Sequence, residues 1–234
     1  MKQVKKKLPF IILGLGALVL VVGFVVLRKP SQESFEEEAA PEIALEMRPV
    51  ASLTPSEDGH WLKLVIEKFE IDAATLDYEL LYKLPDGRTQ GVPGTAKLDG
   101  SKIERDLLLG SESSGKFRYD EGVEAGTLTL RFRNDKGKLA AKFTTEFNLL
   151  FETTNLSSAD GQFTFDLASP TDDYYIVMST FGMYELPGSD VLSGPYGVFS
   201  SGGDLSGEAG NFLFWNDSSW VDKADGPGIF VRVN

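Results

Sequence analysis

Twenty consecutive residues, Leu8 to Leu27, carry no charge and no side-chain hydrogen-bonding group. An α-helix rises about 1.5 Å per residue, so this stretch spans roughly 30 Å, the hydrocarbon thickness of a bilayer. A helix also satisfies its own backbone hydrogen bonds, as lipid requires. Pro9 sits where a missing N–H costs nothing, and Pro30 stops the helix just beyond Arg28 and Lys29, which reach the far interface. A cleaved signal peptide has a shorter apolar region, about 7–15 residues, ending in a small-x-small site. Val25-Val26-Leu27-Arg28-Lys29 offers none. The sequence therefore predicts an uncleaved transmembrane helix over 8–27.

Charge sets the expected orientation. Lys2, Lys5, Lys6 and Lys7 precede the span, and basic segments stay cytoplasmic. Residues 1–7 form a cytoplasmic basic tail, and the chain from about residue 30 lies outside the cell membrane. All 35 acidic residues follow Pro30, against 17 of the 23 basic ones, leaving that part with a formal charge of −18. Such a charge argues against nucleic acid and against anionic membrane surfaces as partners. Cysteine is absent, so packed cores rather than disulfides must hold the fold. An exported chain without disulfides fits a bacterial cell envelope better than an animal secreted domain.

Residues 28–47 read as an acidic linker, too poor in large apolar groups to fold alone and extended by like charges, with a short helix near Pro41–Met47. From about Pro49 the hydrophobic period becomes two. Leu62, Leu64 and Ile66 share a face, and Phe69 and Ile71 continue out of phase, which predicts a bulge near Glu67-Lys68. Leu76, Tyr78, Leu80, Tyr82 and Leu84 face one way, Asp77, Glu79 and Lys83 the other. Thr127–Arg133 and Lys138–Phe151, joined by Asn134-Asp135-Lys136-Gly137, predict a hairpin. About seven or eight strands in about 100 residues is the count of an immunoglobulin-like sandwich, expected here over 48–152. Thr153–Gly161 reads as a connection, and 153–234 as a smaller β module or an extension of the first. The fold class expected is all-β behind one transmembrane helix.

Chemistry is weakly marked. His60 is the sole histidine, with no nucleophile elbow and no cysteine, so no catalytic residue is assigned and a zinc site is disfavoured. The stretch Phe214–Gly228 concentrates Trp215, Asn216, Asp217, Trp220, Asp222 and Asp225. Indole faces stack on sugar rings and adjacent Asn or Asp side chains bond hydroxyls. The three aspartates are alternatively oxygen ligands for calcium, although their spacing fits no EF-hand loop. Gly188–Gly210 reads as a long Gly/Ser loop presenting Tyr196 or Phe199 at an exposed tip for protein recognition. The function expected is a non-catalytic surface interaction module binding protein or glycan. A tethered carbohydrate-active enzyme using unmarked carboxylates and a structural subunit of an envelope complex are the alternatives.

Overall fold

A computed structural model describes residues 40–203 and 205–234. The expected tail, membrane helix and most of the acidic linker lie outside the described residues. Among the described residues, no helix is long and apolar enough to cross a membrane. The linker's end carries a short 3-10 turn at Leu45–Met47, inside the segment where a short helix was expected.

Among the described residues, every longer element is a strand. β1 (Val50–Pro55), β2 (Trp61–Glu67), β3 (Thr75–Lys83), β4 (Thr89–Lys97) and β5 (Lys102–Leu108) are followed by a small ribbon, β6 (Gly110–Ser113) and β7 (Lys116–Tyr119). β8 (Ala125–Arg133) and β9 (Leu139–Leu150) form the predicted hairpin, with Leu130 opposite Phe143. Then come β10 (Asn155–Ser157), β11 (Thr164–Leu167), β12 (Tyr175–Ser179), β13 (Val191–Ser200), β14 (Gly207–Glu208), β15 (Leu213–Trp215), β16 (Trp220–Val221) and β17 (Gly228–Val233).

Nine strands make one antiparallel sheet in the order β16-β15-β17-β13-β12-β9-β8-β3-β4. Its centre is the pairing of β9 with β12, Leu149 opposite Ile176. That pairing carries the sheet across residue 152, so residues 40–234 form one compact unit. Two three-stranded sheets, β1-β2-β5 and β10-β11-β14, cover it.

They cover opposite faces, and β12 shows this most directly. Successive side chains on a strand point to opposite faces. Ile176 and Met178 belong to a core with Leu53, Leu64 and Ile66 of the first cover. Tyr175 and Val177 belong to a second core with Leu156, Phe163 and Phe165 of the other. Strand β12 is accordingly a continuous apolar run, buried on both sides. By contrast, the β3-β8-β9 half is wet on the face away from β1-β2-β5. There Asp77 accepts from Arg133 Nε at 2.7 Å and from Thr95 at 2.8 Å, and Arg131 pairs with Glu79 at 3.2 Å. These are the side chains the alternating pattern turns outward.

Two local expectations are corrected. Strand β2 does not bulge and continue: it ends at Glu67, Lys68 turns with φ of 49°, and Phe69 and Ile71 pack on the first core from a loop. Likewise Gly188–Gly210 is not a loop throughout, because Val191–Ser200 is a ten-residue strand inside the large sheet. Its Gly and Ser content hides the alternation of Tyr196 and Val198, which the second core buries.

Candidate functional site

Trp215 ends β15, and the turn after it sends the chain back as β16, pairing Trp215 with Trp220. Asn216 builds that turn. Its side-chain oxygen accepts from the Ser219 N–H at 2.9 Å and the Ser218 N–H at 3.3 Å, so the side chain brackets the backbone. Asp217 sits next to it in the left-handed region, φ 68°. The two indoles lie 5.3 Å apart at 60°, and Trp220 Nε1 donates to the Glu185 carbonyl at 3.0 Å. Trp215, 7% exposed, packs with Val50 and Ile229.

A cleft of about 420 Å³ opens beside this pair. Trp215, Asn216, Asp217, Asp225 and Phe199 all border it, so five of the expected residues meet around one cavity. Tyr184 forms a further part of the wall, its ring 6.3 Å from Trp215 and 38% exposed. The Tyr184 hydroxyl donates to Glu67 at 2.8 Å. Burial, then the Glu67 carboxylate, pushes this phenol above its ordinary range, which holds it neutral as a donor. Aromatic rings and carboxylates around one cleft suit a ligand that has apolar faces and hydroxyl donors.

Other expected residues lie elsewhere. Asp222 is not among the residues bordering the cleft, and Trp220 reaches it only through Trp215. Among the described residues, no three carboxylate or imidazole side chains are grouped to hold a metal ion. Asp217, Asp222 and Asp225 thus do not form such a group. Tyr196 is not at an exposed tip. It is buried against Phe163, ring centroids 5.2 Å apart, and its hydroxyl donates to Asp160 at 2.7 Å.

Tyr184, Val50 and Ser52 complete this wall. They come from segments far apart along the chain, and no local pattern links them to Trp215. His60, in the turn between β1 and β2, is three-quarters buried, with Asp58 at 3.1 Å and Glu121 at 3.4 Å. Ser56 donates to Asp58 at 2.6 Å and accepts from the Trp61 N–H at 3.0 Å, so its hydroxyl brackets the turn. No protein-family model, curated protein or solved structure matches the chain.

Proposed function

We propose that this chain is a single-pass membrane protein, its N-terminus cytoplasmic, holding a non-catalytic β-sandwich binding module outside the membrane, and that the Trp215 cleft contacts glycan. The observation that carries the reading is the union of Tyr184, Phe199 and Trp215 with Asp217 and Asp225 around one open cavity. Sugar rings present C–H faces to aromatic rings and hydroxyls to carboxylates. The strand order β1-β2-β5 opposite β4-β3-β8-β9 supports an immunoglobulin-like arrangement for residues 48–152, a scaffold that carries binding surfaces without needing catalysis. Anchoring rests on residues 8–27 and their basic flank.

The full-length protein, displayed to immobilised neutral oligosaccharides, should retain at least one of them. Tyr184→Ala and Asp225→Asn should each weaken retention about tenfold, as loss of one anchor contact typically does. Retention of no sugar, or retention by both variants as strong as that of the unmutated protein, removes the glycan reading. Alkaline carbonate should leave the protein in the membrane fraction, and release into the supernatant would remove the anchor. Asp217 and Asp225 bordering one cleft favours a second reading, a tethered carbohydrate-active enzyme. It predicts reducing-end release from an oligosaccharide that disappears in Asp225→Asn.

A further inference from the structure

A second cleft, of about 450 Å³, lies where four separate segments converge, and nothing in the glycan reading uses it. The β1–β2 turn brings Asp58, Gly59 and His60; the β7–β8 loop brings Asp120, Glu121 and Glu124; the end of β9 brings Phe151; and Tyr174 comes from just before β12. Aromatic groups form its walls. Phe151 and Tyr174 stack with centroids 4.4 Å apart at 20°, and Phe151 stays 40% exposed. His60 lies flat against Tyr119 at 4.2 Å and 10°, and Tyr119 in turn lies against Phe117 of the same strand, β7. Gly59 lets the two walls meet. It takes φ of 69°, and a Cβ there would come within 2.6 Å of the Tyr174 ring.

The acidic side chains of this cleft outnumber its other polar ones. Among the described residues, four carboxylates border it and no Lys or Arg does. Hydrogen bonding from the Ser56 hydroxyl, outweighing the small opposing effect of burial, holds Asp58 down at about 2, so it is ionised throughout the physiological range. Asp120 accepts from the Tyr82 hydroxyl at 2.9 Å. A concave site lined with one sign of charge concentrates the opposite sign. The four carboxylates are nevertheless spread: no three of them come together closely enough to hold a metal ion. A diffuse organic cation fits what a compact metal does not, because aromatic faces stabilise ammonium and guanidinium groups over several ångströms.

We propose that this cleft binds an organic cation of the size of a lysine or arginine head group, its charge facing the Asp58, Asp120, Glu121 and Glu124 carboxylates and its apolar part against Phe151 and Tyr174. The site is independent of the Trp215 cleft, and either reading stands if the other fails. The cation has two possible sources, a free small molecule or the side chain of a basic partner segment, and the same experiment separates them.

His60 is the only histidine in the chain, so its ring protons give one assignable NMR signal. In the full-length protein in detergent, tetramethylammonium or argininamide should shift that signal saturably, while sodium chloride at matched ionic strength should not. Glu124→Gln and Phe151→Leu, each checked for an unchanged melting temperature, should weaken binding about two- to fivefold or more. Tenfold tighter binding of a short Lys/Arg peptide than of argininamide assigns the occupant to a partner's basic segment; equal binding assigns it to a free cation. A shift no larger than that with sodium, or full affinity in either variant, overturns the proposal.

Discussion

Ser56-Glu57-Asp58-Gly59-His60-Trp61, between β1 and β2, and Ser158-Ala159-Asp160-Gly161-Gln162-Phe163, between β10 and β11, fold alike. In both, the serine hydroxyl donates to the aspartate at 2.6 Å, and glycine takes φ near 70°. The next N–H returns to the aspartate, at 3.1 and 3.0 Å, and the aromatic residue's N–H to the serine, at 3.0 and 3.1 Å. Each turn starts one covering sheet. Their spare carboxylate oxygens part company. Asp160 Oδ2 accepts from Tyr196 of the large sheet, closing the turn onto the second core. Asp58 Oδ2 faces His60, at the edge of an open cleft. A local turn motif sets the hairpin, and the neighbour that arrives from elsewhere decides whether its carboxylate is structural or available.

The two covers also differ in how they fill space. The first has strands of six, seven and seven residues, the second strands of three, four and two. The larger cover packs mostly aliphatic side chains. The smaller one seals its face with rings: seven of the thirteen buried residues of the second core are aromatic. Phe163 meets Phe212 edge-on at 5.0 Å and Phe230 at 5.3 Å, and the Arg232 guanidinium lies 5.6 Å from the Phe212 ring. Each ring buries about 150–250 Å², so few residues suffice where strands are short. Gly207 completes the fit, since a Cβ there would strike the Asp166 carbonyl and the Phe165 ring.

The largest test of this contrast is truncation in each core. Leu64→Ala should cost about 2–5 kcal/mol and Phe165→Ala about 3–5 kcal/mol. Because both covers share one sheet, each variant should lower a single denaturant transition, followed alike by Trp fluorescence and far-UV circular dichroism. Two separated transitions would show that the halves are energetically independent. A smaller effect tests the two dry faces of β12. Val177→Thr buries a hydroxyl without a partner and should cost about 1–3 kcal/mol. Val65→Thr, on the half-buried side of β2, should stay within about 0.5 kcal/mol. Equal costs would mean that β12 is not closed on both sides.

The smallest test concerns the two turns. Burial alone would raise Asp160, but hydrogen bonds from Ser158, Tyr196 and the Gln162 N–H outweigh it and hold the carboxyl below its ordinary value. A lowered native pKa supplies stability above the unfolded carboxyl value near 4 and loses it as pH falls through the native value. Asp160→Asn should therefore cost about 1 kcal/mol at pH 7 and flatten the fall in stability below about pH 4. Asp58→Asn should flatten the same limb with a smaller loss at neutral pH, because its second oxygen faces His60 of the same turn rather than a donor from the large sheet. An unchanged acid limb in Asp160→Asn would erase the distinction between the turns.

Much of this was legible along the chain. Alternation located β3, β8 and β9, and their outward residues do form the cross-strand pairs on the wet face. Composition singled out the Trp215 stretch because the turn and both indoles are local. Strand β13 was missed because Gly and Ser obscure its period, and Tyr196 consequently looked exposed. The recurring Ser-x-Asp-Gly-x-aromatic turn was present in the sequence as well, but six residues repeated once over a hundred positions become a signal only when both copies start a cover.

Local spacing by itself determined β3, the β8–β9 hairpin with its turn, and the uncharged run at 8–27, because backbone periodicity and turn chemistry act over a few residues. Only the tertiary structure decided that β9 pairs with β12, that the covers lie on opposite faces, and that Tyr184 joins Trp215 while Phe151 joins His60. Those outcomes depend on burial between segments distant along the chain, and no short window of sequence contains both partners.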